Sequence, residues 1–147
     1  MNHIMGKITC TRRLEWDAMH RIPNHESSCR AFHGHRYVAE IECEADALDE
    51  LGRVIDFGLV KAKVGSWIDE YWDHTAILAK DDPEAGAVAE VNARMQSPVY
   101  WLSAHPTAEN MVAELARVSQ ELLSSSGITI ARIRLWETPN CSAVWQL

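Results

Sequence analysis

The sequence predicts an α+β domain with a largely antiparallel four-stranded sheet and two helices on one face, in the order ββααββ. Three observations carry this. Both ends of the chain alternate apolar and polar residues with period two, the middle switches to a helical period, and turn or capping residues mark the changes. At 147 residues, 47% hydrophobic and 24% charged, the chain reads as one globular domain spanning 1–147, large enough to bury a core.

The first strand lies within KITCTRRLEW (7–16), where Ile8, Cys10, Leu14 and Trp16 share one register. The second is YVAEIECEA (37–45), with Tyr37, Ala39, Ile41 and Cys43 set against Val38, Glu40, Glu42 and Glu44. A long loop between them suits an antiparallel pair. Past Gly52, Asp56 is a good N-cap, and Val60, Val64, Trp67, Ile68 and Tyr71 recur at helical spacing up to about Trp72. A second helix starts near Thr107, with Pro106 before the cap and Glu109 in the first turn, where the helix dipole favours an acid. Its stripe of Val112, Leu115, Ala116 and Leu122 runs to about Leu123, and Ser124–Gly127 breaks it. ITIARIRLWE (128–137) and SAVWQL (142–147), separated by the Pro139-Asn140 turn, read as strands. Residues 75–104 carry no clear pattern beyond a short helix over 84–95 after the turn-forming Asp81-Asp82-Pro83. The two open sheet edges have to be covered, blunted or paired, which favours a homo-oligomer.

The formal net charge of -7, with cationic clusters only at Arg12-Arg13 and Arg132/Arg134, argues against a general nucleic-acid partner. No apolar run approaches the ~20 residues that span a bilayer. MNHIMGKITC (1–10) carries no leader pattern. Cys10, Cys29, Cys43 and Cys141 form no CxxC pair and read as free thiols, so the cytoplasm is the expected compartment and no membrane partner is expected.

Four of the seven histidines fall at positions 20, 25, 33 and 35. In His33-Gly34-His35 the two imidazoles lie two residues apart, on one face of a strand entrance. His20, at the end of the first strand, completes a three-imidazole set. Three neutral nitrogen ligands with one open position is the pattern of catalytic zinc, whereas structural zinc sites are closed by four ligands. A bare HxH is common by chance, and the neighbouring residues carry the case. Cys29 could be an inert thiol, but it sits in the polar loop ESSCRAFHGH beside Arg30, where a neighbouring cation would favour thiolate, a suitable general base. Asp73-His74 follows the first helix and could relay a proton. Glu137 reads either as a solvated carboxylate or as a buried acceptor for an amino-substituted heterocycle, and Glu109 equally as a helix-dipole acid.

AMHRIPNHESSCRAFHGHRY (18–37), GRVIDF (52–57), WDH (72–74), PTAEN (106–110) and WET (136–138) together resemble the 6-pyruvoyl-tetrahydropterin synthase/QueD family, in the right order and over most of the chain. The resemblance implies the tunnelling fold, with subunits forming a barrel as trimers that pair into hexamers. It implies zinc on His20, His33 and His35. Cys29 would be the catalytic thiol, with Asp73 and His74 completing its proton relay across a subunit interface. Glu137 would anchor the pterin ring, and Thr107 with Glu109 would form a second pterin contact. The implied reaction converts 7,8-dihydroneopterin triphosphate to 6-carboxy-5,6,7,8-tetrahydropterin, releasing acetaldehyde and triphosphate, on the route to queuosine and related deazapurines. The alternatives are the pyruvoyl-forming synthase of biopterin-type synthesis and a non-catalytic pterin-binding member. Arg36, where pyruvoyl-forming relatives usually carry Asn, favours the carboxy product. Cys29 speaks against aldolase-like variants, which carry Glu there. An unrelated three-histidine hydrolase is disfavoured because no carboxylate is evident beside the histidines. The 75–104 segment reads as an insertion relative to compact members.

Overall fold

The computed structural model describes residues 6–147. The leader reading over 1–10 falls partly on residues 1–5, which lie outside the described residues. Strands β1 (Thr9–His20) and β2 (His33–Glu44) form a long antiparallel pair, joined by a loop that carries a 3₁₀ turn at Ser28–Arg30. β5 (Thr129–Thr138) and β6 (Cys141–Gln146) extend the sheet antiparallel beyond β2. Trp16, Tyr37, Ala39, Ile41, Cys43, Ile133 and Leu135 are all fully buried on one face, as the period-two registers require.

That face is covered by two helical layers. The first begins at Asp56, whose side chain caps Gly58 N, and runs through α1 (Phe57–Val60), a π-helical turn (Lys61–Gly65) and α2 (Ser66–Tyr71). The wider turn sits where Gly65 comes up against the sheet: a Cβ there would lie 3.5 Å from Leu14 Cδ2. The last helix, α4 (Ala108–Leu122), is capped by the Thr107 hydroxyl, which accepts from Asn110 N at 3.1 Å. Val60, Val64, Ile68 and Trp72 meet Met111, Val112, Leu115 and Ala116 over the strands in one continuous core.

Two expectations need correction. Among the described residues the sheet has six strands, in the order β4-β3-β1-β2-β5-β6, and is mixed. The segment 75–104 folds as β3 (Thr75–Ala79), α3 (Ala85–Arg94) and β4 (Val99–Leu102), with β3 parallel to both β1 and β4. Every residue of β3 is buried. A parallel strand covered on both faces shows no alternation, so its signal in the sequence is flat. The third helix is the reason for that burial. Ile77 faces the main core, whereas Ala76 and Leu78 pack with Ala85, Val88 and Met19 in a second cluster. The helices therefore do not all lie on one face: α3 covers the side opposite α4.

β3 pairs with β1 at Ala18 and Met19, so among the described residues the remaining length of β1 has no strand partner on that side. All four cysteines are free, and no helix among the described residues is long and apolar enough to cross a membrane. Replacing the Thr107 cap (Thr107→Ala) should lower stability by about 1 kcal/mol, read as a shift in denaturation midpoint, while Thr107→Ser should leave it nearly unchanged.

Candidate metal centre and active site

The β1–β2 register sets His20 directly opposite His33 and Ala18 opposite His35, so three imidazoles leave the same face at the loop end of the hairpin. Their rings meet edge to face, with centroids 4.6 to 5.1 Å apart. Tyr37, next along the face, packs against both His20 and His35 and stacks on Trp16.

Two backbone carbonyls decide the chemistry of this cluster. His20 Nδ1 lies 2.7 Å from Pro106 O, and His33 Nδ1 lies 2.7 Å from Ala31 O. A carbonyl can only accept, so each Nδ1 carries its proton and each neutral ring presents a bare Nε2 lone pair. Those two Nε2 atoms are 3.0 Å apart. Lone pairs that face one another so closely call for a proton or a cation between them. The buried His35 Nε2 has no hydrogen-bond partner, although Glu137 Oε1 lies 3.2 Å away. The ligand nitrogens of a tetrahedral zinc are about 3.3 Å apart, given Zn–N bonds near 2.0–2.1 Å. The donor set thus fits a divalent cation, with outer nitrogens tied to carbonyls as metal-bound histidines usually are.

Burial strengthens the case. His20 is fully buried, and desolvation lowers its pKa to about 4; His35 is also lowered, again chiefly by desolvation. Both are held as neutral imidazoles, the form that binds metal.

Glu137 differs from expectation in one respect. A carboxylate does stand beside the histidines: Glu137 Oε1 is 3.9 Å from His20 Nε2, and its oxygen belongs with the three rings to one group of potential ligands. The strand explains its position. Val38 pairs with Trp136 and Ala39 with Leu135, so Glu137 leaves β5 on the face of His35 and Tyr37. Distance along the chain concealed this neighbour, and only the β2–β5 register reveals it.

The other predicted residues occupy separate places. Cys29 sits on the 3₁₀ turn, partly exposed. Among the described residues, no hydrogen bond or ion pair joins its side chain to the histidines or to Asp73 and His74. The Asp73–His74 pair is internally bonded, with Nδ1 3.0 Å from Asp73 Oδ2. It is anchored to β1 twice, as Asp17 N donates to Asp73 Oδ1 and His74 N donates to Asp17 O. These contacts hold His74 at φ 56°, a left-handed conformation uncommon for a side chain with a Cβ. His74 and His35 both line a cavity of about 570 Å³, walled in part by Asn92 of α3 and by Met95 just after it. Arg36 lines it too, its charge matched by Glu15 at 3.2 Å and Asp17 at 3.1 Å. Glu109 is exposed in the first turn of α4, and Thr107 serves as its cap. Sequence reasoning passed over the carbonyls of Ala31 and Pro106, which carry no side-chain signal, and over Asp17.

The profile of the 6-pyruvoyl tetrahydropterin synthase family matches residues 9–146. The chain belongs to this family. A 6-carboxy-5,6,7,8-tetrahydropterin synthase from Rickettsia conorii is 46% identical over 135 residues, covering 91% of this chain and 96% of the relative. Among solved structures, an uncharacterized protein from Wolinella succinogenes superposes with a TM-score of 0.84 at 18% identity, covering 97% of this chain and 99% of the other. The 6-pyruvoyl tetrahydropterin synthase of Caenorhabditis elegans gives 0.67 at 19% identity, covering 97% of each chain. At these identities the two structures speak for the fold, and the synthase family shares it.

The depressed pKa of His20 makes a prediction for the metal-free family member. The unfolded chain takes up this proton near pH 6.5, the folded one only near 4, so the contribution of His20 is complete above about 6.5 and is lost as pH falls towards 4. Between pH 7.5 and 4.5 this amounts to about 2–3 kcal/mol. Chemical denaturation at both pH values should show His20→Gln losing less stability on acidification by that amount. Equal losses in the two proteins would mean that His20 is not held neutral.

Proposed function

We propose that the chain is a zinc-dependent lyase that takes 7,8-dihydroneopterin triphosphate and water to 6-carboxy-5,6,7,8-tetrahydropterin, acetaldehyde and triphosphate. The observation that carries this reading is the pair of Nε2 lone pairs fixed face to face by backbone carbonyls, beside an unpartnered His35 Nε2. Family membership and the names of relatives at up to 46% identity favour a pterin as substrate and the carboxy compound as product.

His20, His33 and His35 would hold zinc, whose nitrogen-rich, tetrahedral preference suits them. Zinc bound there supplies Lewis-acid polarisation of the substrate's side-chain hydroxyls, which acidifies the adjacent C–H. Cys29 accepts that proton as thiolate, and triphosphate leaves by elimination. Asp73 orients His74 through the 3.0 Å contact so that the imidazole can pass the proton onward. Cys29 and the Asp73–His74 pair share no bond within one chain, which supports a site assembled from two copies, with the pair of one subunit serving the thiol of the next. The unpartnered length of β1 and the free edge of β6 would join in a trimer or hexamer. Glu137 accepts from the amino group and ring N–H of the pterin, which fixes its side chain towards the histidines. Thr107 and Glu109 would border the ring from the start of α4. The setting is cytoplasmic, and the product feeds deazapurine synthesis.

Incubation of the zinc-loaded protein with the triphosphate should give the carboxy product by mass. Cys29→Ala should keep its metal and fold and lose at least about a hundredfold in turnover. A pyruvoyl product from the wild type would overturn the carboxy assignment, and near-wild-type turnover of the variant would remove the thiol from the base role.

Glu137→Gln should retain stoichiometric zinc and raise KM by roughly tenfold or more, since one charge-assisted hydrogen bond is lost. Loss of metal in that variant would make Glu137 a ligand instead of a ring anchor.

A further inference from the structure

Arg21 directly follows His20 and is the most fully engaged side chain of the loop that carries Cys29. Its Nε and one terminal nitrogen donate to the two Asp82 oxygens at 2.7 and 2.6 Å, a bidentate fork. The other terminal nitrogen donates to Arg30 O at 2.9 Å, and the guanidinium lies over the Phe32 ring, 5.4 Å from its centroid. Asp82, at the turn between β3 and α3, is almost wholly buried and also accepts from Glu84 N. One residue further along, Ile22 N donates to Cys29 O at 2.9 Å.

The peptide carbonyls of Cys29 and Arg30 are therefore both held from the end of β1, one by the backbone of Ile22 and one by the side chain of Arg21. The 3₁₀ turn between them has no side-chain cap and no buried residue of its own. Its internal bonds, Arg30 N to Ser27 O and Ala31 N to Ser28 O, shape the turn, and the bonds from Arg21 and Ile22 tie it to the end of β1. The fork to Asp82 in turn fixes the guanidinium, since a planar group held at two nitrogens can aim its third in only one direction.

We propose that Arg21 and Asp82 are a positioning pair for Cys29, through which the β3–α3 turn sets the orientation of the turn that carries the thiol. The catalytic consequence rests on the reading of Cys29 as the base. Among the described residues the pair makes no hydrogen bond or ion pair with the three histidines or Glu137, and it acts by holding the Arg30 carbonyl. The otherwise unassigned 75–104 segment thereby acquires a role in the site, supplying the anchor from 61 residues away.

The test uses Arg21→Lys, which keeps the charge but cannot fork to Asp82 and reach Arg30 O together, and the charge-free double variant Arg21→Gln/Asp82→Asn, which leaves no unpaired buried ion. In the zinc-loaded proteins, exchange of the hydrogen-bonded amides of Ile22, Arg30 and Ala31 should speed up about tenfold while those of central β1 and β2 keep their protection. Zinc content should be unchanged. Turnover should fall by about ten- to a hundredfold in kcat with KM within about twofold, as expected when only orientation of the base is lost. Unchanged exchange over the turn in both variants would overturn the proposal, whatever happens to turnover. Exchange that rises equally throughout the strands would also overturn it, by making the pair a general stabiliser. Failure of the Cys29 reading is recognised separately: Cys29→Ala would then retain turnover and the variants would keep kcat despite a loosened turn.

Discussion

Strands β1 and β2 are zipped through a single register, from Thr9 opposite Glu44 to His20 opposite His33. Both the core and the candidate metal centre depend on it. The same alignment sets Cys10 opposite Cys43, Leu14 opposite Ala39 and Trp16 opposite Tyr37 before it reaches the histidines. A slip of one residue would turn every one of these side chains to the other face. The hydrophobic layer under α2 and α4 thus holds the three imidazoles in place, because their position cannot change without expelling Trp16 and Tyr37 from the core. The carbonyls of Ala31 and Pro106 then choose the tautomer, one from the loop before β2 and one from the approach to α4. Fold stability and ligand geometry are, at this hairpin, the same interaction.

The opposite face of the hairpin is charged, with Arg36 paired to Glu15 and Asp17, Arg13 to Glu15, and Arg132 to Glu42. Exposed pairs of this kind contribute little stability, so the face is arranged by the strand pairing and not the reverse. Asp17 matters more through its backbone, which holds the Asp73–His74 pair in position. β1 therefore carries the supports of both candidate clusters three residues apart, Asp17 on one face and His20 on the other. Cys29, on the loop that leaves β1 at His20, and the Asp73–His74 pair anchored at Asp17 are held by separate supports. The proposed function joins them by pairing the thiol of one copy with the relay of another.

Much of this was legible in the residues themselves. The histidine trio, the Asp56 and Thr107 caps and the four antiparallel strands all leave local signals, either a period of two or a residue type with one physical use. The failures have physical causes too. β3 is buried on both faces, so TAILA lacks the alternation that marks a half-covered strand, and α3 was legible only as a short helix without a place. Glu137 was seen as a carboxylate at a strand end, but its nearness to His35 is a property of the β2–β5 register, which no local pattern encodes. Asp82 beside Pro83 signals a turn, which it forms, yet its carboxylate binds Arg21 across the fold. The backbone carbonyls that fix the tautomers have no sequence signature at all.

Glu137 bears on whether the metal centre is open. A closed structural site needs four ligands equally available to one ion. The carboxylate oxygen stands 3.2 Å from His35 Nε2 and 3.9 Å from His20 Nε2, while the His20 and His33 nitrogens are 3.0 Å apart, so the difference lies in how firmly each group is held. Two of the imidazoles are locked by carbonyls, whereas among the described residues Glu137 meets only imidazole nitrogens and retains partial exposure at the end of β5. A ligand that is rigid and one that can swing away are not equivalent. His20 and His33 form the fixed part of the site, and under the proposed function Glu137 would be the movable neighbour that an amino-substituted ring draws to itself. Under the proposed function, that asymmetry would leave a coordination position for substrate and place its anchor beside it.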